Sequence, residues 1–229
     1  MVDRHLLAGV DALGSVALST VAFRHVAEGR HPLSGAGARL HGGRWNPPES
    51  FSTLYLALER ETTIAELYRL ASRQGMIPED FLPRRMYRYE VALAAVLDLR
   101  DPTARLQLEL SDADLRSVDA SRCRSIGVAA NQLGFECILA PSATGSGTVL
   151  AVFFDRLRAG STVRDIDHQV WIAPPDFVSP EAKVTYTLSP LGALRAGADQ
   201  RDRRARDRGH RGRPQRRGSR SAVCWHRHR

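Results

Sequence analysis

The sequence predicts a mixed α+β domain, and three observations carry that prediction. Apolar stretches of β-branched and aromatic character, several of them alternating, fall at residues 20–26, 52–58, 87–99, 137–140 and 149–154. Between them lie two segments of helical periodicity, at residues 62–71 and 121–133. Clusters of Gly, Pro and Ser separate the segments and mark the connections.

After a short N-terminal helix, Thr20-Val21-Ala22-Phe23-Arg24-His25-Val26 reads as the first strand, with Arg24 set between Phe23 and His25. Residues 29–37 are punctuated too densely by Pro32, Gly35 and Gly37 to be anything but loop. Gly42-Gly43-Arg44-Trp45 follows and ends in the turn Asn46-Pro47-Pro48. Glycines let a ligand approach the backbone closely, and a neighbouring guanidinium offers a planar fork of donors suited to phosphate. A tight turn with a surface arginine is the competing reading.

In residues 52–58 the leucines 54, 56 and 58 share one face of a strand, so Tyr55 points to the other. Thr62 or Thr63 is expected to cap the next helix. At about 100° per residue its apolar stripe is Ile64, Leu67 and Ala71, and Glu66 lies well away from that stripe. Glu66 is then either a solvated helix glutamate or a carboxylate looking into a cleft.

Residues 75–85 form a polar connection, and residues 87–99 give a strand in which Tyr87, Tyr89, Val91 and Leu93 alternate. Ser111 with Asp114 three residues later has the form of a capping box. Residues 121–133 read as a helix stopped by Gly134, with Ser121 at an N-terminus that favours an anion or simply caps the helix. Two short strands flank Pro141-Ser142-Ala143-Thr144-Gly145-Ser146-Gly147, a loop suited to line a pocket or to turn a hairpin. A last strand at residues 163–172 precedes Pro174-Pro175.

At 229 residues, 43% hydrophobic and 25% charged, the chain is long enough for one sizeable core and an appendage. The net charge of +8 suggests nucleic acid, but it is concentrated at one end. Residues 195–229 hold 13 arginines and three aspartates, which leaves residues 1–194 with 20 basic and 22 acidic side chains. The expected organisation is a folded domain over 1–194 and an Arg-rich, disordered tail over 195–229. That tail fits two readings: a salt-sensitive attraction to nucleic acid, or coding sequence read past a frameshift, since Lys183 is the one lysine in the chain. Three scattered cysteines indicate a reducing cytoplasm without a disulfide framework. Asp11 interrupts the apolar N-terminal run, and Pro141 and a Gly/Ser loop break the longest uncharged run, residues 137–154, so neither a signal peptide nor a membrane span is expected.

No metal-ligand spacing, G-x-G-x-x-G after a strand, phosphate-binding P-loop or G-x-S-x-G elbow is present. What remains is Arg24, Arg44, Tyr55, Glu66 and Ser121: cations for pyrophosphate, an aromatic for a ring, a carboxylate for a sugar and a helix N-terminus. The run from Leu33 through Gly42-Gly43-Arg44-Trp45-Asn46-Pro47-Pro48, with Leu54-Tyr55-Leu56-Ala57 and Ala65-Glu66, resembles the RES-domain toxins of bacterial toxin–antitoxin pairs. The resemblance extends over residues 23–154 and is strongest over 33–66.

That family is named for an arginine, a glutamate and a serine, and its best-known members degrade NAD⁺. The resemblance assigns Arg44, Glu66 and Tyr55 to catalysis, and Arg24 with Ser121 or its competitor Ser142 to binding NAD⁺. It implies an ADP-ribosyltransferase-like α+β core of two packed β-sheets with flanking helices, and NAD⁺ as substrate without a metal. It also implies a cognate antitoxin with a helix-turn-helix DNA-binding part. The expected activity is cleavage of the nicotinamide–ribose bond by water or phosphate. ADP-ribosylation of a macromolecule is the alternative, and a non-enzymatic nucleic-acid-binding protein acting through the tail is a third reading.

Overall fold

The two faces of the strand carrying Leu54, Tyr55 and Leu56 belong to two different cores, and this division organises the molecule. In the computed structural model residues 3–176 are described. The elements are α1 (Arg4–Ala12), β1 (Val16–Ala27), α2 (Ala36–His41), β2 (Thr53–Ala57), α3 (Arg60–Gln74), β3 (Arg84–Asp98), α4 (Pro102–Gln107), α5 (Asp112–Arg116), α6 (Ser121–Gln132), β4 (Cys137–Pro141), β5 (Thr148–Phe153) and β6 (Thr162–Trp171), with short 3₁₀ turns at Pro78–Phe81 and Phe154–Arg156. The expected Arg-rich tail and the domain boundary at residue 194 lie outside the described residues.

The six strands form one sheet in the order β1-β2-β5-β4-β3-β6, and β1 also pairs with β3. This closes β1, β2, β5, β4 and β3 into a barrel-like ring, with β6 added along β3. The two packed sheets that the family resemblance implies are thus corrected to a single sheet bent round on itself. The reason lies in strand length: β1 has 12 residues and β3 has 15, long enough for strand twist to curl the sheet until its ends meet.

Inside the ring Leu54 and Leu56 pack with Leu139, Leu150, Val152 and Tyr89. On its outer face Ile138, Ala140, Ala151 and Phe153 meet Cys123, Ile126 and Ala130 of α6, and Trp45 is buried among them. Strand alternation therefore sends Tyr55 to the α6 side, as its position between two inward leucines predicts.

One edge of β3 runs against β1, while the other pairs with β6 over residues 84–92 and with β4 over residues 96–98. Buried Glu136 fills the gap between those two partners. Its Oε2 accepts from the amides of Ala94 (2.6 Å) and Ala95 (2.7 Å), and its Oε1 from the amide of Arg158 (2.7 Å). Burial opposes ionisation of this carboxyl, but the Ser161 side chain and these amides outweigh it and hold its pKa below the usual range.

β2 pairs with β5 along its whole length, but with β1 only at Phe23 opposite Ala57. The ring is therefore nearly open between β1 and β2. α3 crosses close to this seam. It begins at Arg60 with Glu59 as its N-cap residue, so the cap expected at Thr62 or Thr63 is corrected: both threonines lie inside the first turn. Glu59 draws the start of the helix inward, its Oε2 accepting from the Thr62 hydroxyl (2.9 Å) and the Thr148 amide (2.8 Å). The capping box of Ser111 and Asp114 forms as expected. No helix among the described residues is long and apolar enough to cross a membrane.

Candidate active site

Residues 42–46 turn sharply between α2 and β2, and their path is fixed from two sides. Gly42 has a φ of 73°, and a Cβ on Gly43 would lie 2.3 Å from the Tyr55 hydroxyl. That hydroxyl donates to Asn46 Oδ1 (2.8 Å) and accepts from the Trp45 amide (2.9 Å). Burial pushes the Tyr55 pKa far up, which keeps the hydroxyl protonated as the donor this turn needs. From the other side α6 presses Gly127 onto the carbonyl of Trp45, leaving no room for a side chain. Tyr55 therefore spends its hydroxyl on the scaffold and offers the cavity its ring.

Arg44 leaves this turn toward the end of α5. Its Nη1 donates to the Asp114 carbonyl (3.0 Å) and its Nη2 to that of Ser117 (2.8 Å). Arg24 on β1 is held in the same manner, Nη1 donating to the Pro32 carbonyl (2.8 Å) and Nη2 to that of Ser34 (3.0 Å). Burial lowers the Arg24 pKa, and neighbouring Tyr89 partly offsets that. A guanidinium has five N–H donors, so each arginine is fixed by two bonds and keeps others for a ligand. Next to Arg24, the neutral ring of His25 accepts from Arg84 Nε (2.6 Å), its pKa lowered to about 3 by burial and then by the two flanking arginines.

Glu66 comes from α3, on the side away from Ile64, Leu67 and Ala71, all of which are buried. Its Oε1 accepts from the Ser142 hydroxyl (3.1 Å), and the Thr144 amide donates to that same hydroxyl oxygen (3.1 Å). Ser142 is buried at 3% exposure, so the loop after β4 fixes the carboxylate from behind. Ser121 is placed differently. It is the first residue of α6, with Ala120 as N-cap, and it is exposed, its amide and hydroxyl both donating to Asp119. Of the two candidate serines, Ser142 is the one in contact with Glu66.

These parts surround a cavity of about 440 Å³, within the range of small-molecule sites. Phe23 and Ala57, the one residue pair that joins β1 to β2, both line it, so it sits where the sheet is nearly open. Its charge is lopsided: Arg24, Arg44, Arg69, Arg73 and Arg124 line it together with a single carboxylate, Glu66. Such a wall suits a ligand with several negative charges and one developing positive centre. Among the described residues no group of three or more His, Cys, Asp or Glu side chains could hold a metal ion.

The structure thus brings Arg24, Arg44, Tyr55 and Glu66 to one cavity, with Ser142 behind Glu66. Sequence reasoning missed Arg69, Arg73 and Arg124. The first two were detectable, since residues 66, 69 and 73 recur at helical spacing on one face of α3. Arg124 was not, because what brings it here is the contact of its Nε with the Gly43 carbonyl (3.0 Å), from a helix 81 residues further along.

A family model described as the RES domain matches residues 21–175. The chain is 36% identical over 160 residues to proteins from Mycobacterium bovis and Mycobacterium tuberculosis named NAD(+) phosphorylase MbcT, an alignment covering 69% of this chain and 86% of theirs. It is also similar to a solved chain from the M. tuberculosis MbcT–MbcA toxin–antitoxin complex, with a TM-score of 0.68 and 33% identity over 74% of this chain and 93% of that one. Matched over more than half its length by the family model and over most of the length of these relatives, the chain belongs to the RES-domain family.

Proposed function

We propose that this chain is the toxin of a toxin–antitoxin pair and depletes NAD⁺ by phosphorolysis of the nicotinamide–ribose bond in the Glu66 cavity. The observation that carries the reading is one carboxylate set among five arginines, in a chain whose relatives are named NAD(+) phosphorylase. In the reaction the bond from ribose C1 to the nicotinamide nitrogen breaks, and both its electrons leave with the ring. Nicotinamide departs neutral, so no proton donor is required. C1 and its ring oxygen then share a positive charge, as in glycoside chemistry. A phosphate oxygen closes on C1, and the products are nicotinamide and ADP-ribose carrying a phosphate on that carbon.

In this proposal Glu66 stabilises the oxocarbenium charge and bonds a ribose hydroxyl, with Ser142 holding its far oxygen. Arg24 and Arg44 direct their remaining donors at the pyrophosphate, and Tyr55 supplies an aromatic wall and fixes the 42–46 turn. An ADP-ribosyltransferase-like core and an antitoxin with a helix-turn-helix part, covering the cavity, belong to the same proposal. A toxin–antitoxin complex among the structural relatives supports an antitoxin partner.

The leaving group provides a direct test. The purified chain should release one nicotinamide per NAD⁺ consumed and leave NADH intact, because dihydronicotinamide would have to depart as an anion. Chromatography of both reactions checks this, and intact NAD⁺ or equal loss of NADH contradicts the proposal.

A further inference from the structure

We propose that Arg69 binds the attacking inorganic phosphate, so that α3 carries both the carboxylate that steadies the ribose cation and the cation that delivers its nucleophile. The inference rests on the phosphorolysis reading and assigns that reaction's second substrate a place.

The arginines of the cavity differ in what they have left to give. Arg24 and Arg44 each spend both Nη atoms on carbonyls, and Arg124 spends its Nε on Gly43. Arg69 makes no hydrogen bond or ion pair among the described residues, although it is partly buried and lines the cavity. Its whole fork is available, and a planar fork matches two oxygens of a phosphate. Its surroundings favour an incoming anion. Burial lowers its pKa most, Arg44 and Arg73 lower it further, and Glu66 opposes them. A partly desolvated cation, only partly compensated by Glu66 and set near two further cations, is relieved when a dianion arrives.

Position selects Arg69 for the nucleophile rather than for the pyrophosphate. Glu66 marks where the ribose carbon must sit, and Arg69 follows it by three residues, which puts the two on adjoining positions of one helix surface. Glu66 turns one oxygen to Ser142 instead of pairing with Arg69, which leaves both side chains open toward the cavity. Arg73, a further turn along, is exposed and suited to the path by which phosphate enters.

The test compares wild type with Arg69→Gln and Arg69→Lys in steady-state assays that vary NAD⁺ and inorganic phosphate separately, with products resolved by mass. Loss of a charge-assisted bond predicts that Arg69→Gln raises KM for phosphate by about tenfold or more, while KM for NAD⁺ stays within about twofold. Arg69→Lys should recover part of the phosphate affinity, because it restores the charge without the fork. An unchanged KM for phosphate in Arg69→Gln, with wild type dependent on phosphate, overturns this inference alone. A rise in KM for NAD⁺ equal to or larger than that for phosphate also overturns it, and reassigns Arg69 to the pyrophosphate. Wild-type turnover independent of phosphate overturns both this inference and the phosphorolysis reading. Should Arg69→Gln fail to fold, the same comparison in Arg69→Lys decides, with a raised phosphate KM required.

Discussion

Glu66→Gln is expected to lower kcat for NAD⁺ cleavage by roughly 10²–10³-fold, the usual cost of removing one pre-organised electrostatic group. The substitution keeps the size of the side chain and an oxygen that accepts from Ser142, so the 3.1 Å contact and the loop after β4 should survive. What disappears is the one negative charge in a cavity lined by five arginines. Those arginines raise the energy of a ribose cation, so the uncompensated site should be worse than a neutral one. KM for NAD⁺ should move little, because the pyrophosphate contacts are untouched, and the thermal midpoint should hold. A Glu66→Gln protein with wild-type kcat would remove Glu66 from the chemistry.

Gly127→Ala is expected to damage both stability and activity, though Gly127 reacts with nothing. A Cβ at this position would lie 1.8 Å from the Trp45 carbonyl oxygen and 2.7 Å from its carbon. Neither partner can yield easily: Trp45 is fully buried, and its amide is fixed by the Tyr55 hydroxyl. Overpacking of this kind costs about 1–3 kcal/mol. The strain falls on the turn that positions Arg44, where a displacement of about 1 Å can cost ~10²-fold in rate. Gly37 is the control. It lies in α2 with open space where its Cβ would be, so Gly37→Ala should be neutral or slightly stabilising. Denaturant titration and NAD⁺ turnover of the two variants check the pair. Equal behaviour at both positions would show that α6 does not support the site in this way.

The strands were legible because alternation is a local signal: Leu54, Tyr55 and Leu56 announce both faces of β2. α2 and α4 were not, each being six residues long and opened by a residue that also marks loops, Gly35 before the one and Pro102 within the other. Ring closure was hidden as well, since the pairing of β1 with β3 joins residues far apart in sequence and leaves no local trace. In the cavity the residues with motif context, Arg44, Tyr55 and Glu66, were found. Their division of labour was not, because it depends on where donors are spent. Arg44 is tied to carbonyls of residues 114 and 117, and Tyr55 to Trp45 and Asn46, while Arg69, whose helical spacing from Glu66 places it on the cavity face, stays uncommitted among the described residues.

The most direct measurement is the mass of the products formed from NAD⁺ in phosphate-containing and phosphate-free buffer. Phosphorolysis at the Glu66 cavity predicts nicotinamide and ADP-ribose bearing one added phosphate, with turnover collapsing when phosphate is withdrawn. Free ADP-ribose formed at the same rate in both buffers, or ADP-ribose found attached to a macromolecule, would contradict it.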